Sequence, residues 1–422
     1  MHTCDILILG GGPGGLSTAL HLARDFPHLT SRILILEKAR YPRAKLCAGG
    51  LVIDAELILQ RLGLDVSEVP HVDAERIHFD FEARGLQIRF PGRHALRVIR
   101  RAEFDNWLAG KAESRGIEIR EGVTVRKVVP CEDQVMVETD HGLFRAQVVV
   151  GADGSNGVTR RWLFPDSRVH TARVLEVLTP ENSVIARSQP SGGHMKENRQ
   201  QGDEAIFALN KGEIASGKNT PRNDGQRKGA YFDFFPVPSH IAGYVWDFPT
   251  QVDGERMRCW GVYDTNLLAD HKRPPLKEPL AAEMRRFGFN LDQYEIQGHP
   301  IRWFSPENQI SVPRVLLVGD AAGADPFLGE GISIALGYGA LAAREIGEAF
   351  RRNEFSFGGY RRRVLTSSLG QALLVRWILA QVLYLFKWRW FQVLAWRTLK
   401  PLAIVVAWLF VLNWGRRLRM VS

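Results

Sequence analysis

A chain of 422 residues is too long for one core of ordinary size, so two domains, or one domain with a large insertion, are expected. Its cysteines, Cys4, Cys47, Cys131 and Cys259, are scattered without a CxxC pair; this argues against a disulfide framework and a zinc site, fits a reducing compartment, and leaves no metal to expect. The net charge of +9 is uneven: Arg351 to Ser422 holds 13 Lys and Arg against the single acid Glu354, while the rest carries 42 basic and 45 acidic residues. A basic tail on a nearly neutral body points to a membrane surface or another anionic partner for the tail, and nothing resembles a nucleic-acid module.

In chain order, an apolar run, Ile6–Leu9, breaks into Gly10-Gly11-Gly12-Pro13-Gly14-Gly15 and resumes as a helical pattern over Leu16–Ala23. Gly10, Gly12 and Gly15 have the dinucleotide-binding spacing: a tight turn, a close backbone approach to a pyrophosphate, and close helix–strand packing. A second strand, Arg32–Leu36, ends in Glu37-Lys38, and an acid about 20 residues on suits a ribose 2′-OH. The first strand begins by about Asp5, which leaves no room for a signal or transit peptide, so a cytoplasmic body is expected.

The loop Tyr41–Leu51 leaves the carboxyl end of the second strand, where open α/β sheets bind ligands. A helix from Asp54 to Leu62 follows. Short alternating strands over His71–Phe90 mark a change of pattern, and Val98–Leu108 returns to α/β with another helix. Strands are predicted at Ile117–Ile119 and Val123–Val129, with a hairpin of Val135–Thr139 and Phe144–Ala146 about His141-Gly142. Gln147–Val150 is a separate buried strand that runs into Gly151-Ala152-Asp153-Gly154-Ser155. The polar stretch Arg187–Gly229 is a long excursion at the edge of a second domain. Tyr231–Phe235, Tyr244–Phe248 and Met257–Val262 alternate as strands of a second sheet. A second buried strand, Val315–Val318, opens into Gly319–Ile332 and a helix from Ser333 to about Phe350, rich in small residues that permit close packing.

From about Arg361 the chain is helical, aromatic and basic, with six of the 11 tryptophans. The apolar run Leu402–Leu412 is short for a span, which takes roughly 20 residues. Tryptophans beside basic residues favour the headgroup level of a bilayer, so 361–422 is expected to lie on the cytoplasmic face of a membrane; a tilted span and a packing or dimer surface are the alternatives.

Gly10–Gly15 with Glu37, Gly151–Ser155, and Gly319–Ile332 read together as one cofactor site. With these motifs in this order, the chain over residues 4 to 350 resembles the FAD-dependent oxidoreductases of the hydroxybenzoate-hydroxylase fold. The resemblance implies an α/β Rossmann-like FAD-binding domain (1–70, 97–165 and 296–350), an inserted α+β substrate domain with an antiparallel sheet (71–96 and 166–295), and a helical tail, 351–422. It implies cofactor contacts at Gly10, Gly12, Gly15, Glu37, Lys38, Ala48, Gly50, Arg101, Asp153, Gly154, Asp320, Gly331 and Ile332. The helix N-terminus at Gly331 and Ile332 would face the flavin pyrimidine edge, where its dipole stabilises negative charge.

Two segments resemble one branch of that superfamily. Lys45-Leu46-Cys47-Ala48-Gly49-Gly50-Leu51 is similar to the Lys-x-Cys-Gly-Gly-Gly-Leu of geranylgeranyl reductases, with Ala48 in place of a glycine. Gly243–Pro249 matches their Gly-Tyr-x-Trp-x-Phe-Pro. The resemblance implies reduction of isoprenoid C=C bonds by hydride transfer from FAD, recharged by NAD(P)H or another donor; with no second GxGxxG unit, a nicotinamide would dock transiently. Tyr244, Trp246 and Phe248 share one strand face, as a wall for an apolar chain or as plain sheet core. Cys47 is either a proton donor or a pocket-lining thiol. A flavin monooxygenase or halogenase is the alternative chemistry, although a halogenase would show Trp-x-Trp-x-Ile-Pro. A prenyl-binding protein without cofactor is disfavoured by the intact glycines, Glu37 and Asp320. The particular isoprenoid and the oligomeric state stay open.

Overall fold

The computed structural model describes residues 1–167, 169–181, 229–267, 273–408 and 412–418. The predicted excursion Arg187–Gly229 lies outside these residues, apart from Gly229, where a strand begins.

The first strand, His2–Leu9, is central to an eight-stranded sheet. It runs parallel to Ile33–Glu37 on one side and to Gly142–Gly151 on the other, and Val315–Leu317 extends the parallel row. The inner strands read as unbroken apolar runs because both of their faces are covered. One prediction needs correcting here. Phe144–Ala146 and Gln147–Val150 are not two strands but one, Gly142–Gly151. Its outer half pairs antiparallel with Val135–Thr139, and its inner half pairs in parallel with Val315–Leu317. The hydrophobic pattern changes along it because its neighbours change.

The first helix, Pro13–Asp25, has proline at its start, where a missing N–H costs nothing. It packs against the long helix Ile332–Arg352. The small residues read in the sequence permit that approach: a Cβ on Gly339 would stand 2.6 Å from the Ser17 Cβ, and Ser17 Oγ donates to the Leu336 carbonyl at 2.8 Å.

A seven-stranded sheet lies beside the first. Its order is Gln297–Arg302, Thr171–Pro180, Glu255–Asp264, Gly243–Val252, Gly229–Asp233, Arg76–Phe81 and Arg84–Arg89. The sheet thus gathers strands from both segments expected in the substrate domain. It also takes Gln297–Arg302, which lies just past the expected boundary at 296. A small sheet of Gly50–Leu51, Leu96–Ile99 and His71–Ala74 bridges the two.

The tail is folded onto this body. Its helices are Tyr360–Thr366, Ser368–Leu385, Arg389–Val393, Lys400–Val406 and Trp414–Arg417. Ser368–Leu385 has the length and apolarity to cross a membrane, yet 39% of it is buried within the protein. The run Leu402–Leu412 starts within the helix Lys400–Val406. Trp414 is fully buried, with its ring against the Gly337 Cα and Leu369. Asp54 accepts the backbone N–H groups of Gly415 at 2.7 Å and Asn413 at 3.1 Å, which locks the end of the tail to the body. Burial lifts the Asp54 carboxyl to about 6.

Candidate functional site

A cavity of about 910 Å³ runs between the two large sheets and the tail. Of the residues predicted for the site, Gly10, Gly12, Glu37, Lys38, Cys47, Ala48, Gly50, Arg101, Asp153, Gly154, Tyr244, Trp246, Phe248, Asp320, Gly331 and Ile332 line it. Gly15 does not; it sits behind the turn, where a Cβ would fall 2.1 Å from the Gly10 carbonyl oxygen.

At the glycine end, Gly10 has φ of 112°, and a Cβ there would stand 2.4 Å from the Ala152 carbonyl oxygen, so only glycine fits. The N-terminus of the helix Pro13–Asp25 has no side-chain cap and opens on the cavity through Gly12. Uncapped N–H groups and the helix dipole make this an anion site. Glu37 is buried and accepts from Gly11 N at 2.8 Å and Ala39 N at 3.0 Å, which fixes its carboxylate beside the turn. Arg101 forms a two-pronged pair with Asp105 at 2.8 Å, and Arg43 joins that carboxylate at 2.9 Å. These cations flank the middle of the cavity with their geometry already set.

Asp153 accepts from the backbone N–H and the hydroxyl of Thr159 at 2.8 and 2.9 Å, so one carboxylate oxygen serves the start of the helix Val158–Leu163. Gly154, with φ of 79°, turns the chain past it. Asp320 accepts from Ser155 Oγ at 3.4 Å, joining the second and third motifs. Lys45 and His299 meet at 2.8 Å beside it; burial and then Lys45 hold the His299 imidazole down to about 4.

Further along, Gly49 permits the Cys47 loop its path: φ is 78°, and a Cβ would clash with the Ile99 carbonyl at 1.9 Å. Cys47 Sγ accepts from Gly49 N at 3.4 Å, and burial pushes its thiol up, keeping the proton on sulfur. Opposite stands the helix Ile332–Arg352 with Gly331 at its cap. Glu330 accepts from Ser333 N at 2.8 Å, which occupies one first-turn donor beside the cavity-lining Gly331 and Ile332.

The loop before that helix is held by Tyr244 and by groups the sequence reading missed, Tyr263, Tyr384 and Arg376. Tyr263 donates to the Pro326 carbonyl at 3.1 Å, Tyr384 to the Phe327 carbonyl at 2.6 Å, and Tyr244 to the Leu328 carbonyl. Arg376, buried in the tail helix Ser368–Leu385, bonds Asp325 at 3.0 Å and Glu330 at 3.1 Å. A lone arginine in an apolar helix was the available signal, since a buried cation calls for a partner. The tail also closes the far end, where Leu383, Phe391, Trp396, Leu399 and Val406 join Tyr244, Trp246 and Phe248. Trp396 stacks on Phe234 with ring centroids 4.0 Å apart. A further missed residue is Glu176, a buried acid among these apolar walls; its signal was an acid at an inward position of the alternating strand Thr171–Pro180.

A glycine turn, an uncapped helix N-terminus beside a fixed acid, and a second helix N-terminus facing an apolar chamber define a dinucleotide-dependent oxidoreductase. Residues 3–213, half the chain, match the family described as FAD binding domain, and the chain belongs to that family. It is 26% identical over 380 residues to protein FixC of Salmonella typhi (85% of this chain, 81% of that one). It is 27% identical over 393 residues to digeranylgeranylglycerophospholipid reductase of Thermoplasma volcanium (86% and 84%). Among solved structures, a geranylgeranyl bacteriochlorophyll reductase-like protein from Thermoplasma acidophilum superposes with a TM-score of 0.71 at 20% identity, covering 99% of this chain and 95% of that one. The flavin-dependent brominase Bmp2 gives 0.64 at 16% identity, over 99% and 94%. These two share the fold.

Proposed function

We propose that this FAD-dependent oxidoreductase hydrogenates C=C bonds of an isoprenoid lipid taken from a membrane surface. The observation that carries the reading is the cavity's two-part character: a polar, glycine-lined half continuous with an aromatic and aliphatic half walled by the tail. The polar half suits FAD, because the uncapped helix at Gly12 takes a pyrophosphate, Glu37 and Lys38 take the adenine-side ribose, and Arg101 and Asp320 take the middle of the molecule. FAD, when bound and reduced by NAD(P)H or another two-electron donor, supplies the hydride.

The chain's own residues do the rest. The dipole of the helix Ile332–Arg352 favours negative charge at Gly331 and Ile332. Tyr244, Trp246 and Phe248 are buried with linked rings, and their faces hold an apolar chain in place while excluding water. Cys47 keeps its proton within the chamber.

The tail supports a membrane-side approach. Trp388, Trp390, Leu402 and Trp408 are each more than half exposed, and the first two rings stack at 6.2 Å. Leu399 and Leu402 are exposed and also line the cavity, so one short stretch has lipid-suited side chains outside and chamber wall inside. Tryptophans beside Arg389 and Lys400 suit a headgroup layer. The protein is therefore read as cytoplasmic and peripherally bound.

The likeness in fold to a brominase keeps an oxygen-using monooxygenase or halogenase as the second reading. The test is anaerobic. The reduced flavoprotein is mixed with geranylgeranyl lipids, and flavin reoxidation is followed together with product mass. Reoxidation with a gain of two hydrogens supports the reductase. Reoxidation only after admission of oxygen, with an oxygenated product, refutes it.

A further inference from the structure

Glu176 lies on the strand Thr171–Pro180, directly across from Gly261, which is itself across from Trp246 on the next strand. The three form one row on the inner face of the sheet. Gly261 has no side chain, and the benzo edge of the Trp246 indole occupies its place: a Cβ there would stand 2.1 Å from that ring. The missing side chain thereby places the flat indole and the carboxyl side by side on the chamber wall. The carboxyl is 3% exposed, lines the cavity, and among the described residues has no salt-bridge partner. Among the described residues, the Trp246 indole nitrogen is buried with no partner at hydrogen-bonding geometry. Burying an acid beside an aromatic ring with its open side to the chamber costs free energy.

Hydride addition to an isolated alkene leaves the neighbouring carbon in need of a proton, and an acid on the chamber wall beside the chain can supply it. We infer that Glu176 is the acid that delivers this proton, an assignment that rests on the reductase reading above. One alkene carbon gains the hydride and its electron pair from the reduced cofactor. The other forms a C–H bond with the Glu176 proton as the O–H bond breaks, leaving a carboxylate and oxidised FAD. A reduced nicotinamide or another two-electron donor restores the cofactor, and solvent returns the proton.

Burial pushes the Glu176 carboxyl up to about 7, against the opposing pull of the Arg100 charge and a hydrogen bond from the Cys259 thiol. It is therefore protonated in about half the molecules at neutral pH, so it can both give up a proton and take one back. Cys47 is a poorer donor: burial raises its thiol above the ordinary value even against the pull of the Arg101 charge and the Gly49 N–H. The efficient acid is the one whose pKa lies near the working pH.

The test compares wild type with Glu176→Gln and Glu176→Asp, all loaded with FAD, reduced, and mixed anaerobically with geranylgeranyl lipid vesicles. Glu176→Gln keeps the shape and loses the proton. It is expected to slow lipid-driven flavin reoxidation about 10²-fold or more, with FAD content and lipid binding unchanged. The wild-type rate should fall as pH rises through about 7, the Gln variant should lose that dependence, and the Asp variant should recover part of the rate. Independently of turnover, infrared spectra in D2O should show a protonated carboxyl band that titrates near pH 7 and is missing from Glu176→Gln. A Gln variant within threefold of wild type and with the same pH profile overturns the role while leaving the reductase reading standing. An absent carboxyl band overturns it as well. If wild type itself fails to reduce the lipid, the reductase reading falls and the role falls with it, even where the band is present.

Discussion

Replacing Trp414 by alanine should release the tail from the body without unfolding the sheets. The indole is fully buried against the Gly337 Cα and Leu369, and the helix surface there has no side chain to swing into the gap. A buried Trp→Ala change costs about 3–5 kcal/mol, and a site that cannot collapse sits at the upper end. The loss falls on the opening of residues 412–418, which otherwise hold mainly through the two N–H bonds to Asp54 and the Arg61 contacts to the Leu418 and Arg416 carbonyls. At about 1.4 kcal/mol per factor of ten, exchange of the Asn413 and Gly415 amides should accelerate by roughly three orders of magnitude or somewhat more. Hydrogen exchange read by mass spectrometry on tail peptides, with the His2–Leu9 strand as internal reference, measures it. A Trp414→Phe variant, which keeps a ring, should lie between. Unchanged exchange in the tail peptides, or equal acceleration in the central strand, would refute the idea that this indole pins the tail.

Gly10→Ala should yield protein that retains little FAD, because the residue has φ of 112° and the new Cβ would meet the Ala152 carbonyl at 2.4 Å; the flavin absorbance of the purified protein measures it, and wild-type flavin content would count against the cradle. Arg376→Met leaves Asp325 and Glu330 without their buried cation and should cost about 3–5 kcal/mol, seen as release of flavin at lower denaturant concentration. Glu176 also predicts a stability effect. Its folded carboxyl titrates near 7 and its unfolded one near 4.5, so its favourable contribution is complete below about 4.5 and is lost as pH rises through 7. Urea unfolding at pH 5 and 8.5 should show Glu176→Gln gaining on wild type at the higher pH, by at most about 3 kcal/mol. Changing Trp388, Trp390 and Trp408 together to serine should weaken flotation with anionic liposomes while leaving FAD content intact; undiminished flotation would remove the membrane role of that face.

Much of the site was legible because its chemistry is local. A turn that requires glycine at position 10, a helix that starts at Pro13, and an acid that ends the next strand are written within 30 residues, and backbone sterics leave one way to satisfy them. The three cofactor motifs and the period-2 row of Tyr244, Trp246 and Phe248 were readable for the same reason. The tail was read by composition, as basic and aromatic; of its tryptophans Trp388, Trp390 and Trp408 are exposed, whereas Trp396 and Trp414 are buried against the body.

Other features came only with the tertiary structure. The sequence alone could not reveal that the tail is also the chamber's wall, that Arg376 in the tail anchors Asp325 and Glu330, or that Trp414 seats on Gly337. Nor could it reveal that Glu176 shares a row with Trp246 across a missing side chain at Gly261. Each is a contact between residues dozens of positions or more apart, set by strand register and helix packing. The sequence by itself determined the glycine turn, helix start and acid proposed to hold a dinucleotide; the packing of distant segments decided which groups line the apolar end of the cavity, because burial and charge there depend on neighbours that no local pattern encodes.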